Sequence, residues 1–279
     1  MKDNLMPEQQ IRFDDGAAYE RMMGAWSKLA GETFLDWLAP RAGLRWIDVG
    51  CGNGAFTERI VARNAPAEVQ GIDPSDGQLA YARTRSGTQM AEFRKGDAMA
   101  LPFPDRTFDV AIMALVIFFV PEPARGVAEM VRVVVPGGKV AAYAWDMAGG
   151  GFPLQPIQTE LKEMGFPPVR PPSSDASAIE ALQKLWTDAG LVEVETRRID
   201  VQRSFVDFDD FWTAATLGAT IGPLVAPMAP DDVARIKTRV RAHLQEDSAG
   251  RITYSAWANA IKGRVPEQIA GRRAGIGCG

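Results

Sequence analysis

The chain has 279 residues, of which 46% are hydrophobic, and its formal net charge is −4. This length and composition allow one large domain with a sizeable core, and they exclude an intrinsically disordered protein. The acidic balance gives no global basic field, so a nucleic-acid partner is not expected. The sequence contains no stretch as long as a membrane span, and its cysteines, Cys51 and Cys278, are poor disulfide candidates, so a cytoplasmic protein is predicted.

Apolar runs alternate with helical periodicity through residue 145, which predicts an α/β fold. The predicted order is a helix over 17–39, a strand over 45–49, a helix over 55–64, a strand over 68–72, a helix over 75–85, strands over 91–95 and 110–115, a helix over 123–134 and a strand over 139–145. Strands separated by helices imply right-handed crossovers and a mostly parallel sheet covered on both faces. Ligands bind such sheets at the carboxyl ends of the strands.

The alternation of apolar runs with helical periodicity ends after residue 145, where glycine and proline residues interrupt the pattern. Helices are predicted over 157–164 and 179–189 and twice within 207–246, and strands over 191–201 and 251–262. The segments 147–175 and 204–248 are predicted to cap the substrate site, because their glycine and proline breaks allow opening and closure.

The first predicted strand ends in an acid, Asp48, followed by three alternating glycines, Gly50, Gly52 and Gly54. Glycine has no Cβ, so this backbone can turn sharply and approach a ligand closely. The next helix would point its free N–H groups at that ligand. A second acid, Asp73, ends the following strand, where a carboxylate can accept both hydroxyls of a ribose. These residues predict a cofactor that contains adenosine.

The glycine spacing separates two classes of cofactor. A dinucleotide fingerprint is G-x-G-x-x-G, whereas here the third glycine comes one residue earlier. The acid Asp48 is awkward beside a pyrophosphate but suits a ligand that carries an ammonium group. A nicotinamide-dependent oxidoreductase is therefore the less favoured alternative.

The glycine turn, Asp73, Gly96-Asp97-Ala98 and Pro136-Gly137-Gly138-Lys139 occur in this order along the chain. The series resembles the class I S-adenosylmethionine-dependent methyltransferases, especially the small-molecule branch with the ubiquinone and menaquinone methyltransferases (methyltransferase type 11). The resemblance covers chiefly residues 15–145. It implies S-adenosyl-L-methionine as the cofactor, S-adenosyl-L-homocysteine as the product, and a Rossmann-like seven-stranded sheet of order 3-2-1-4-5-7-6.

The resemblance also implies one domain over residues 1–279. Its predicted parts are an N-terminal helical cover over 1–40, a cofactor-binding core over 41–146, the two cap segments, a final antiparallel strand over 251–262 and a flexible tail over 266–279. A monomer or a homodimer is expected.

The resemblance assigns roles at the motifs. Asp48 would set the local charge around the methionine ammonium, Asp73 would bind the ribose, and Asp97 would accept a hydrogen bond from the adenine amino group. The predicted cofactor-binding residues are Tyr19, Trp26, Asp48, Gly50, Cys51, Gly52, Asp73, Pro74, Gln78, Asp97, Ala98, Met99 and Leu115. Simple packing of an amphipathic helix is the alternative for Trp26.

Methyl transfer is an in-line displacement, so holding and aligning the reactants is the protein's main task. A general base is needed only if the nucleophile is protonated, and the candidates are Tyr143, Asp146 and His243. No clustered Cys and His residues indicate a metal site.

The acceptor is predicted to be an apolar or aromatic small molecule, because the cap segments are rich in large apolar side chains. These are Phe152, Phe166, Phe205, Phe208, Phe211, Trp212 and Leu217, with Tyr19 or Phe119 near the pocket wall. In the alternative interpretation these side chains form the cap's own core. A non-catalytic protein that binds S-adenosylmethionine, or one that moves another group from it, also remains possible from the sequence.

Overall fold

A computed structural model describes residues 16–217 and 221–267, and these form one seven-stranded sheet with helices on both faces. The strands are β1 Arg45–Val49, β2 Glu68–Asp73, β3 Ala91–Lys95, β4 Phe108–Ala114, β5 Val134–Trp145, β6 Val192–Phe205 and β7 Ile252–Arg264. The helices are α1 Gly16–Leu38, α2 Ala55–Asn64, α3 Asp76–Thr84, α4 Pro123–Val133, α5 Gln155–Glu163, α6 Ile179–Asp188, α7 Phe208–Thr216, α8 Gly222–Val225 and α9 Pro230–Ala242.

The strand order is β3-β2-β1-β4-β5-β7-β6, which confirms the predicted topology. The first five strands pair in parallel, and β7 runs antiparallel between β5 and β6. The central strands are buried on both faces, which explains their nearly continuous apolar runs. Because β1, β2 and β4 are parallel and in register, Val49, Asp73 and Ala114 end at the same edge of the sheet.

The last strands are longer than the sequence predicts. The predicted strand over 191–201 continues to Phe205, and its partner β7 ends at Arg264 rather than at residue 262. The two strands pair from Val192 with Arg264 to Phe205 with Ile252. β6 is an edge strand whose residues are mostly exposed. Its sequence therefore has no continuous apolar run whose last residue would mark the end of the strand.

The described residues of the segment 204–248, which leave out 218–220, contain three helices, α7, α8 and α9, rather than two. Its aromatic side chains pack on one another and on α1. The ring of Phe205 lies 5.2 Å from that of Phe211 and 6.4 Å from that of Trp26 on α1. Tyr254 on β7 closes this cluster at 6.1 Å from Trp26. Phe205 and α7 therefore pack on the side of α1 that carries Trp26, whereas α9 pairs with α5.

No helix within residues 16–217 and 221–267 is long and apolar enough to cross a membrane. Of the predicted tail over 266–279, residues from 268 onward, with Cys278, lie outside the described residues.

Candidate functional site

The turn after β1 folds through three left-handed glycines. Gly50, Gly52 and Gly54 have φ angles of +76°, +52° and +76°, a region that residues with a Cβ rarely adopt. The amides of Gly50 and Cys51 both donate to the carbonyl of Ile72, at 2.7 and 3.0 Å. A Cβ on Gly50 would lie 2.5 Å from Cγ1 of Val116. The glycines are therefore required both for the backbone path and for the close approach of the segment after β4.

Asp73 lies at the end of β2 and joins two turns. Its Oδ2 accepts from the amide of Gly52 at 2.9 Å, and its Oδ1 accepts from the amide of Ser75 at 2.9 Å. Burial raises the pKa of this carboxyl, and the two amide donors oppose the rise. The helix N-cap is Ser75, whose Oγ accepts from the amide of Gln78. Asp73 is therefore not itself the cap of α3, and each of its oxygens has room for a second donor.

Asp97 follows β3 and stays exposed. Its Oδ1 accepts from the amide of Met99 at 2.8 Å, which fixes a short turn. The amide of Gly96 donates to the carbonyl of Asp73, so the ends of β2 and β3 lie together. Asp73 and Asp97 thus lie along one edge of the sheet.

A cavity of about 1080 Å³ opens at this edge. One end is lined by the glycine turn and by the carboxyl ends of β2 and β3. The predicted cofactor residues on its wall are Gly50, Cys51, Gly52, Asp73, Pro74, Gln78, Asp97, Ala98 and Leu115. The volume exceeds what a typical small ligand fills, so the cavity has room for two ligands side by side.

The other end of the cavity is mainly apolar. Its wall carries Ala55, Phe56, Ala114, Val116, Phe119, Val120, Pro121, Tyr143, Val169 and Pro172. Leu115 stands between the two ends with a φ of +62°, a strained angle for this residue, and its amide donates to the carbonyl of Tyr143 at 2.8 Å. This strained backbone turns the end of β4 across the cavity.

Helix α1 forms one side of the cavity with a single face. Glu20, Gly24, Ser27 and Lys28 line the wall, and their three- and four-residue spacing places them on one side of the helix. Trp26 is not on that face and is 2% exposed in the core, so the structure corrects the prediction that it contacts the cofactor. The predicted contact at Tyr19 lies outside the described side chains.

Asp48 lies behind the glycine turn rather than on the cavity wall. It is fully buried, and its Oδ2 accepts from Oγ1 of Thr57 at 2.6 Å. Among the described residues its Oδ1 has no hydrogen-bond partner. Burial raises the pKa of this carboxyl from its ordinary value of 3.8 to about 7. Any influence of Asp48 on a ligand must therefore act through the turn or through water.

Cys51 contributes backbone to the wall while its side chain packs away from it. The thiol lies in a small cluster with Leu79, Ala82 and Phe93. Burial, together with the charges of Asp48 and Asp73, raises the pKa of this thiol. A protonated, buried thiol is a poor nucleophile, which argues against covalent chemistry at Cys51.

Of the three candidate bases, only Tyr143 lines the cavity. Its ring lies 4.7 Å from that of Phe34 and 5.6 Å from that of Phe56. Asp146 instead accepts from Nε1 of Trp257 and from the amide of Gly149.

His243 is the third candidate, and its Nε2 lies 2.7 Å from Oε1 of Glu160, in a contact between α5 and the end of α9. Neither Asp146 nor His243 is among the residues that line the cavity, so the structure corrects both predictions. Met99 is also not on the wall, and it contributes only the amide that binds Asp97.

The predicted acceptor wall also needs correction. Phe205, Phe208, Phe211 and Trp212 are buried in the core, and none of the seven cap side chains lines the cavity among the described residues. The sequence could not show this, because burial against α1 and burial around a ligand require the same apolar residues. Phe119 does lie on the wall, as predicted.

Several residues of the cavity wall could not be predicted from sequence patterns. Arg85 lies at the end of α3, yet it contacts Asn53 in the turn and Glu20 in α1. Arg59 and Arg170 add positive charge to the wall. Only the position of Asn53 inside the glycine turn could have indicated one of these residues.

Comparison with known proteins identifies the family of this chain. A methyltransferase domain family model matches residues 47–142. The ubiquinone/menaquinone biosynthesis C-methyltransferase UbiE of Roseobacter denitrificans is 38% identical over 117 residues, which are 40% of this chain and 47% of that protein. The demethylmenaquinone methyltransferase of Clavibacter sepedonicus is 31% identical over 176 residues, which are 58% of this chain and 71% of that protein.

The chain belongs to the class I S-adenosylmethionine-dependent methyltransferases. The prediction of S-adenosylmethionine as the cofactor is confirmed at the level of the family. Among solved structures, a phosphoethanolamine N-methyltransferase of Haemonchus contortus with bound S-adenosylmethionine has a TM-score of 0.57 at 16% identity, covering 90% of this chain and 57% of that one. This likeness shows the fold alone. The chain spans about half the length of the first curated relatives that it matches.

Proposed function

We propose that this methyltransferase moves the methyl group of S-adenosylmethionine to an O, N or C nucleophile of an apolar or aromatic small molecule. The observation that carries the proposal is the single cavity with two unlike ends. One end offers backbone turns and the acids Asp73 and Asp97, and the other offers Phe56, Val116 and Phe119.

The residues at the polar end fit the cofactor. A Cβ on Gly52 would have only Oε1 of Gln78 nearby, at 3.9 Å, so this part of the turn faces open space where a ligand can approach the backbone. Asp73 would hold the ribose hydroxyls, and Asp97 with the backbone of Ala98 would hold the adenine. When bound, the cofactor supplies a methyl carbon on a sulfonium, which is a good leaving group.

The role of the protein's own residues is then to bind the acceptor and to exclude water. The apolar wall around Phe119 and Val116 offers few competing hydrogen bonds, so an apolar acceptor is favoured there. Tyr143 is the one predicted base on that wall: its phenol would hydrogen-bond the acceptor, and its phenolate would take the proton from an acceptor that is protonated. Lys28, Arg59 and Arg170 on the wall would tolerate an acidic substituent.

The test is transfer of a labelled methyl group from S-adenosylmethionine to a panel of hydrophobic phenols, hydroquinones and amines. Each compound is assayed with and without a carboxylate, and beside protein and nucleic-acid acceptors. Asp73→Asn is the matched negative control, because the amide keeps the shape of the side chain and loses its charge. Label in at least one small molecule supports the proposal. Label only in macromolecules, or binding of the cofactor without any transfer, would overturn it.

A further inference from the structure

Arg85 connects three separate parts of the site through one guanidinium group. Its Nε donates to the carbonyl of Asn53 in the glycine turn at 2.7 Å. Its Nη2 donates to Glu20 on α1 at 2.5 Å, and its Nη1 donates to Glu58 on α2 at 3.1 Å. The Arg85 side chain is 13% exposed, whereas its partner Glu20 on the cavity wall is 39% exposed.

Asn53 completes the connection between α1 and the turn. Its Nδ2 donates to the same oxygen of Glu20 at 3.1 Å, and its Oδ1 accepts from the amide of Ala55 at the start of α2. The carboxylate of Glu20 therefore receives donors from both Arg85 and Asn53. A Cβ on Gly24 would lie 2.8 Å from Oε1 of Glu20, so this glycine leaves room for the carboxylate on the wall face of α1.

We propose that Arg85 is a positioning residue that holds the beginning of α1 against the glycine turn and thereby retains the cofactor. The inference rests on the proposed function, because it needs a cofactor at the turn. Glu20, Asn53 and Arg85 all line the cavity, so parting them would open the wall beside the turn. Charge-assisted bonds of a planar guanidinium are stronger and more directional than those of an ammonium, so lysine would not replace the three contacts together.

The test compares Arg85→Met and Glu20→Ala with Arg83→Met. Arg83 is the matched control, because it lies in the same helix α3 and donates to the carbonyl of Phe93, away from α1. For each variant, the dissociation constant and the dissociation rate of S-adenosylhomocysteine are measured, together with the melting temperature. Hydrogen exchange of the α1 amides is recorded with and without this ligand.

Both Arg85→Met and Glu20→Ala are expected to weaken binding at least about tenfold, mainly through faster dissociation. Exchange in α1 should rise in both variants, and the double variant should bind hardly more weakly than Arg85→Met, because the two residues act through one contact. Arg83→Met should change binding less than about twofold. Arg85→Lys should restore only part of the loss.

A drop in melting temperature with unchanged binding and unchanged α1 exchange would overturn the inference and leave the proposed function intact. If Arg85→Met fails to fold, the inference is tested with Glu20→Ala and Arg85→Lys instead, through ligand dissociation and hydrogen exchange of the α1 amides. Failure of the wild-type protein to bind S-adenosylhomocysteine would instead overturn the proposed function, on which the inference rests.

Discussion

At the scale of single residues, the two buried acids near the glycine turn have different surroundings. Asp73 accepts from two backbone amides and reaches the cavity. Asp48 is held only by Thr57 among the described residues, and it stays behind the turn. The sequence marks both as strand-end acids, and it does not distinguish them, because burial depends on the helices packed around them. Only Asp73 is therefore placed to bind a ligand directly.

The raised pKa of Asp48 predicts that the apo protein loses stability as pH rises. Because this pKa is about 7 in the folded protein and 3.8 ordinarily, the unfolded chain releases the proton first. The contribution of Asp48 to the free energy of unfolding is then largest below about pH 4 and should fall by about 2 to 4 kcal/mol as pH rises to about 7. Urea denaturation between pH 4 and 8 should show this fall in the wild-type protein and a flatter profile in Asp48→Asn.

Asp109→Asn is the control for that experiment. The hydrogen bond from Arg45 lowers the pKa of Asp109, so this carboxyl is ionised in both folded and unfolded chains above about pH 5. Asp109→Asn should lower the free energy of unfolding by a constant amount between pH 5 and 8. An Asp48→Asn profile parallel to that of the wild type would show that Asp48 ionises normally.

At the scale of elements, local signals predict most helices and strands, and they fail where the partner is distant in sequence. The alternation of apolar and polar runs predicts the strands up to residue 145, because central strands such as β1 and β4 are buried on both faces. Arg85 is the opposite case. Its partners Asn53, Glu58 and Glu20 lie 32, 27 and 65 residues away, so no local pattern could reveal the contact.

The glycine turn offers a prediction about one element. Gly50→Ala should lower the affinity for S-adenosylhomocysteine more than about tenfold, because a Cβ there would lie 2.5 Å from Val116 and displace the segment after β4. Gly43→Ala is the matched control, since Gly43 has the same φ of +76° and no atom within 4 Å of its Cβ position.

Both glycine variants should lose about 1 to 2 kcal/mol of unfolding free energy from the left-handed backbone, as measured by urea denaturation. Only Gly50→Ala should also lose ligand affinity by calorimetry. Equal affinities for the two variants would show that the close approach of Val116 is unimportant for the site.

At the scale of the whole molecule, the polar end of the cavity could be predicted from the sequence, and the acceptor end could not. Strand ends and turns carry the polar end, so its residues appear in short motifs such as Gly96-Asp97-Ala98. The acceptor end is assembled from the start of α2, the segment after β4, Tyr143 of β5 and residues 169–172, which are far apart in the chain. The aromatic residues of α7 belong to the core instead, where Phe211 packs on Phe205, which in turn contacts Trp26 of α1.

The central claim is that this cavity is a site for S-adenosylmethionine organised around Asp73. Calorimetric titration of S-adenosylhomocysteine and of NAD into the wild-type protein, Asp73→Ala and Asp76→Ala tests it most directly. Asp76 is the matched control, since it is a neighbouring acid that pairs with Lys95 at the surface.

The wild-type protein and Asp76→Ala should bind S-adenosylhomocysteine equally and NAD not at all. Asp73→Ala should remain folded and lose about 1.5 to 3 kcal/mol of binding free energy, the value of a charge-assisted hydrogen bond. Binding of NAD by the wild-type protein, or undiminished binding of S-adenosylhomocysteine by folded Asp73→Ala, would contradict the account.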